Sequence, residues 1–261
     1  MNENITELLK LIENENQIKI LFAVENGSRS WGMESKDSDY DVRFVFYRKK
    51  EDYLRLNKKD EVITIAFDKN LKVCKTQGSL IDMCGFDIYK YLRLLLSSNP
   101  TTLEWLNSHI VYYGDNNISL REYMNNNFNP EKLYMHYFSL FKNNYREFIQ
   151  QEKMKTHKKY LYSMRGLLNA KYVLLFDKLP PLNFVQTIND LKSNIPNEVY
   201  SKLLEIINLK SKGLEKDKVE NISEFDNFFD EVLKTPVPKF KKRISDVDVF
   251  DKFLLGLLDN E

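Results

Sequence analysis

The sequence predicts an α+β fold: a small mixed β-sheet with helices packed on it over residues 1–128, then an all-helical domain over 129–261. Three observations carry this expectation. Short apolar runs of strand length occur only in the first half. An asparagine-rich stretch, 116–129, ends in Pro130 and marks the boundary. Beyond it, every apolar pattern has helical spacing, with no clear strand.

Taken in order, Ile5, Leu8, Leu9 and Ile12 stripe a helix over 4–14, a face suited to covering a sheet. Ile18–Val24 reads as the first strand, 30–36 as a short helix and loop, and Val42–Tyr47 as a second strand. The last is apolar on both faces and therefore central. The charged stretch 48–60 is expected at the surface with a partial helix. Val62–Phe67 is rich in β-branched residues and reads as a third strand. A hairpin loop over 68–77 leads to a fourth, Leu80–Cys84, ended by Gly85.

Ile88, Leu92, Leu95 and Leu96 stripe a helix that Ser97-Ser98-Asn99-Pro100 breaks. Residues 101–106 read as another helical turn with Thr101-x-x-Glu104 as its capping pattern, and His109–Tyr113 as a short apolar run. Helices are then expected over 130–155, 160–176, 184–191, 197–209 and 222–233, with a Thr235–Pro238 linker. A final stripe carries Phe250, Phe253, Leu254, Leu257 and Leu258. Its Asp246-Val247-Asp248 sits in the capping box Ser245-x-x-Asp248, so those acids are structural.

Composition narrows the class. With 43% hydrophobic and 30% charged residues, 261 residues suffice for an ample core in one domain or two. Basic and acidic residues nearly cancel, 39 against 38, so global charge points to no partner. No apolar run is long enough to span a bilayer, and the polar N-terminus is not a secretory leader. Two cysteines and three scattered histidines give neither a disulfide framework nor zinc spacing. The expectation is a cytoplasmic protein without membrane contact.

The chemistry is concentrated between Val24 and Phe46. Gly27-Ser28 follows the first apolar run, and Asp39-Tyr40-Asp41 opens the second. Residues two apart on a strand share a face, which puts Asp39, Asp41 and Arg43 together. Adjacent carboxylates repel unless a cation lies between them, and Mg²⁺ with its preference for oxygen is the natural choice. Gly27 lets the backbone approach a ligand, and a helix starting at Ser28 would offer free amides to a phosphate. A phosphate cradle followed by a metal-binding acid pair points to nucleotidyl transfer.

A third carboxylate is wanted on the metal that activates the attacking hydroxyl. Asp87 is already explained as the N-cap of the following helix. Asp82 is an acid inside an apolar strand, where an unpaired charge is costly, and is chosen.

At Gly27–Gly32 (GSRSWG) and Ser38–Phe44 (SDYDVRF) the chain resembles the DNA polymerase β-like nucleotidyltransferase superfamily, and within it the RNA-repair-pathway (RlaP-type) branch. The likeness continues through Gly85-Phe86-Asp87, Ser98-Asn99-Pro100, Glu104-Trp105-Leu106, 159–165 and Leu179-Pro180-Pro181, the first two thirds of the chain. Asn26 departs from it where a small Ser is expected.

The resemblance implies a nucleotidyltransferase domain over 1–128 and a helical substrate- and nucleotide-binding domain over 129–261. An NMP would pass from an NTP such as ATP to a hydroxyl acceptor, with release of pyrophosphate. Asp39, Asp41 and Asp82 would hold Mg²⁺ or Mn²⁺. Gly27, Ser28, Arg29, Arg43, Lys158 and Arg165 would serve the triphosphate. Residues 130–171 hold nine Lys or Arg against three Glu, and Lys158, Tyr162, Arg165 and Asn169 share one helix face, a basic surface opposite the acids. The family name implies an RNA end as acceptor, extended or trimmed beside a ligase in repair. The alternatives are nucleotidylation of a protein or small molecule, and a non-catalytic nucleotide- or RNA-binding module.

Overall fold

Strand-length runs and helical stripes assemble in the computed structural model, which describes residues 1–116, 118–151, 155–214, 218–241, 243 and 245–259. The chain divides into two units, residues 1–30, 39–128 and 244–261 in one, and 31–38 with 129–243 in the other.

The sheet unit contains α1 (Asn2–Asn16), β1 (Lys19–Asn26), β2 (Tyr40–Tyr47), α2 (Lys50–Tyr53), β3 (Val62–Phe67), β4 (Val73–Cys74), β5 (Ile81–Asp87), α3 (Ile88–Leu96), α4 (Pro100–Asn107), β6 (Val111–Gly114) and α5 (Ile118–Asn127). Six strands form one sheet in the order β4-β3-β5-β2-β1-β6. Only β2 and β5 pair in parallel; the rest are antiparallel, so the sheet is mixed. On one face the α1 stripe joins Val42, Phe44, Phe46, Ile81 and Met83 in a single core. On the other, Tyr91 of α3 meets Phe22 edge-on at 5.7 Å and Trp105 of α4 lies 4.5 Å from Phe86.

Gly85 does not end its strand. β5 runs on to Asp87 with Gly85 in register opposite Phe44, and a Cβ there would fall 2.1 Å from the Phe44 ring. The glycine makes room for an aromatic. Two caps also differ from expectation. Asn99, not Thr101, caps α4 by accepting the Thr101 N–H, with Pro100 at the first helical position. Before the last helix, α11 (Val247–Asp259), the Asp246 carboxylate takes the Asp248 N–H while the Ser245 hydroxyl donates to the Asn127 carbonyl. That helix groups with the sheet unit, where Tyr123 meets Phe250 and Lys50 pairs with Asp259.

The helical unit comprises α6 (Pro130–Tyr145) with a π-turn over Arg146–Gln150, α7 (His157–Phe176), α8 (Phe184–Asp190), α9 (Asn197–Ser211) and α10 (Ser223–Lys234). A two-residue pair, β7 (Lys155–Thr156) with β8 (Lys218–Val219), adds strand where none was expected. Helices α6 and α7 pack closely at Gly166, where a Cβ would lie 2.8 Å from the Phe141 amide nitrogen. Phe141, Tyr145, Tyr160, Phe225 and Phe229 fill the core beside them. Residues 31–38 belong here too: the Trp31 carbonyl accepts the Phe184 N–H at 2.9 Å.

Candidate active site

Strand register places the acids. Asp41 stands opposite Asn26 of β1 on one side and Asp82 of β5 on the other. In β5 the alternate residues 81, 83, 85 and 87 are buried, whereas 82, 84 and 86 are only half-buried, so Asp82 and Asp87 point to opposite faces. Asp82 therefore neighbours Asp41, and Asp87 does not.

Between the two acids lies Arg43, two residues along from Asp41 on its face. Its Nη2 donates to Asp41 Oδ1 at 2.9 Å and to Asp82 Oδ2 at 3.0 Å. Its Nη1 donates to the carbonyls of Asp82 at 3.0 Å and Val42 at 3.2 Å. One planar guanidinium thus bridges both carboxylates. The far oxygen of Asp82, Oδ1, is buried and has no hydrogen-bond partner among the described residues. Such an atom is costly to leave unmet, and it marks a place for a cation or a donor.

Gly27 is required twice over. Its φ is +73°, in the left-handed region. A Cβ on it would fall 2.0 Å from Asp41 Oδ2, so only glycine lets the carboxylate lie against this turn. No helix starts at Ser28, contrary to expectation. Residues 27–32 form turns, because Gly27 and Gly32 both take positive φ and bracket too few residues for more than one helical turn. Any anion would meet turn amides there, with no helix dipole behind them.

Arg29 Nε donates to the Asp39 carbonyl at 3.1 Å, and its guanidinium lies 4.0 Å over the Tyr40 ring. Asp39, just before β2, is exposed. Among the described residues no three His, Cys, Asp or Glu side chains gather as a metal site. The three expected acids are therefore not drawn into one cluster: Asp41 and Asp82 come together around Arg43, and Asp39 stands outside that bridge.

Sequence reasoning missed Glu25. Only 1% exposed, it accepts the Asp41 N–H on Oε1 at 3.0 Å and the Tyr112 hydroxyl on Oε2. Burial, the largest influence, pushes its carboxyl up to about 7; the bonds from Tyr112 and the Asp41 amide oppose the rise and the Asp41 charge adds to it. The signal was available: an acid closing an apolar run deserves the reasoning that selected Asp82. The apolar run read as the first strand stops at Val24, two residues short of the end of β1 at Asn26.

Lys158 and Arg165 lie in the helical unit, on α7. The Arg165 guanidinium stacks 3.6 Å over the Trp31 ring, which also meets Tyr162 edge-on, and Lys158 Nζ lies 5.6 Å over Tyr162. Arg165 and Asn169 are buried, so this face is partly an internal polar seam rather than a solvated one.

A profile described as the RNA repair pathway DNA polymerase beta family, RlaP, matches residues 1–255. A Bacillus subtilis (strain 168) protein named "Uncharacterized protein YcgL" is 34% identical over 232 residues, covering 88% of this chain and 84% of that protein. Among solved structures, a nucleotidyltransferase-like protein from Exiguobacterium sibiricum 255-15 aligns with 97% of this chain and 89% of its own at 13% identity, with a TM-score of 0.32.

Proposed function

We propose, from the premise that this chain belongs to the RNA repair pathway DNA polymerase beta family, that it is a metal-dependent enzyme moving an NMP from an NTP to the hydroxyl of an RNA end. Pyrophosphate is the other product. The observation that carries this reading is the pair Asp41 and Asp82, in register on parallel strands and sharing one cation through facing oxygens.

The donor set suits Mg²⁺ or Mn²⁺. Both acids supply hard oxygen, Asp82 Oδ1 is buried without a partner among the described residues, and the guanidinium of Arg43 is a stand-in positive charge. Asp41 and Asp82 would hold the ion, with Asp39 contributing from the head of β2. When bound, the metal supplies charge neutralisation at the α-phosphate and acidifies the attacking hydroxyl.

The chain's own residues do the rest. Gly27 keeps the turn close to the phosphates, whose oxygens meet the turn amides and the Ser28 hydroxyl. Glu25 holds the Asp41 amide and so fixes the start of β2. Arg43 changes partners, from carboxylate to phosphate, and with Arg29 balances the charge that grows on the leaving pyrophosphate. Positioning and charge stabilisation account for nearly all of the rate in phosphoryl-type transfers.

The test is label transfer from each α-radiolabelled nucleoside triphosphate to RNA, to protein and to small acceptors, with Asp41→Asn as control. Label on RNA ends, lost in the variant, is the expected result. Label on protein or a small molecule moves the acceptor. Nucleotide binding with no transfer at all makes the chain a binding module.

A further inference from the structure

At the other end of β5 from Asp82, a cavity of about 150 Å³ opens within the sheet unit. Asp87 and Arg48 line it, both buried, with Arg48 Nη1 donating to Asp87 Oδ2 at 3.2 Å. Tyr53 and Tyr89 line it as well, their ring centroids 4.8 Å apart. Tyr89 is 37% exposed and so offers a ring face to a ligand.

The charges on this wall can be paired off. Arg48 answers Asp87, Lys59 answers Asp52 at 3.0 Å, and Arg93 answers Glu61. The remaining cation is Lys58, exposed and without a carboxylate partner among the described residues. Arg48 adds an unmet donor, its Nε being buried without a hydrogen-bond partner among the described residues. One surplus positive charge thus sits beside an accessible aromatic ring. That combination suits a base carrying a single phosphate: a base stacks on tyrosine, and one ammonium balances one phosphate.

We propose that this cavity binds a single nucleotide, its base against Tyr89 and its phosphate at Lys58. Five strand steps separate Asp87 from Asp82, about 16 Å at the usual rise, so the site is distinct from the carboxylate pair. It requires no metal, and it goes beyond the transfer reaction proposed above. The nucleotide is either free or one residue of a bound RNA strand.

Calorimetric titration of the whole protein in EDTA with AMP, with adenosine and with a short 5′-phosphorylated oligoadenylate tests this. AMP or the RNA binds, and adenosine binds about tenfold more weakly or not at all. Lys58→Ala and Tyr89→Leu each weaken binding by about tenfold. Asp41→Asn leaves it unchanged. Both tested side chains are exposed, and unaltered thermal melts confirm folding. RNA binding without AMP binding, with the same dependence on the two variants and a salt slope lowered by about one in Lys58→Ala, assigns the site to a strand. AMP binding alone assigns it to a free nucleotide. Failure of both to bind, indifference to both variants, or loss in Asp41→Asn overturns the proposal.

Discussion

Strand β5 carries an aspartate near each end; Asp82 meets Arg43 of β2, and Asp87 meets Arg48, the residue that follows β2. Asp87 is saturated. It accepts the Tyr89 N–H at 3.0 Å, the Tyr53 hydroxyl at 3.0 Å and Arg48 at 3.2 Å, all in a buried setting. Asp82 shares Arg43 with Asp41 and leaves its other oxygen unmet among the described residues. One acid is consumed by structure, capping a helix and neutralising a buried guanidinium. The other is left with capacity to spare. Identical side chains on the same strand differ in how fully their oxygens are occupied.

The largest expected effect separates the two ends by activity. Asp41→Asn and Asp82→Asn each lower label transfer by about a thousandfold or more while the thermal midpoint stays near that of the parent. Asp87→Asn keeps transfer per folded molecule. Comparable activity losses at both ends would break the contrast.

Stability should show the reverse. Asp87→Ala strands Arg48 in a buried site and costs about 3–5 kcal/mol in denaturant unfolding. Asp82→Ala leaves Arg43 paired with Asp41 and costs clearly less.

The carboxylate end also carries a pH signature through Glu25. Its folded value of about 7 lies above the ordinary 4.5, so the folded state binds the extra proton between them. In metal-free buffer, stability therefore falls as pH rises through that window and levels above it, by roughly 3 kcal/mol at most. Glu25→Gln flattens the profile. A profile that rises with pH would place Glu25 as an ionised partner instead.

A smaller effect sharpens the geometry at the turn. Gly27→Ala strains a left-handed residue and pushes the Asp41 carboxylate aside, costing about 1–3 kcal/mol of stability. It lowers transfer further than that loss of folding explains.

Much of this arrangement was legible. Period-two alternation put Arg43 on the face of Asp41, and an acid in an apolar strand singled out Asp82 over a capping Asp87. What alternation does not give is the partner across the sheet. That Arg43 also bridges Asp82 escapes a local reading, because the parallel register that sets Asp82 opposite Asp41 is a long-range fact. Gly85 read as a stop because the ring it accommodates comes from another strand. Likewise, the place of 31–38 with α7 and α8, and of α11 with the sheet, depends on tertiary packing that no local pattern records.

On the function proposed above, Asp41 and Asp82 are held ready for a divalent ion, with Arg43 in the interim. Anomalous diffraction from crystals soaked with Mn²⁺ and a non-hydrolysable nucleoside triphosphate tests it most directly. A manganese peak bound by both carboxylates, with the guanidinium moved onto phosphate, is the expected result. An intact Arg43 bridge with the ion bound elsewhere would contradict it.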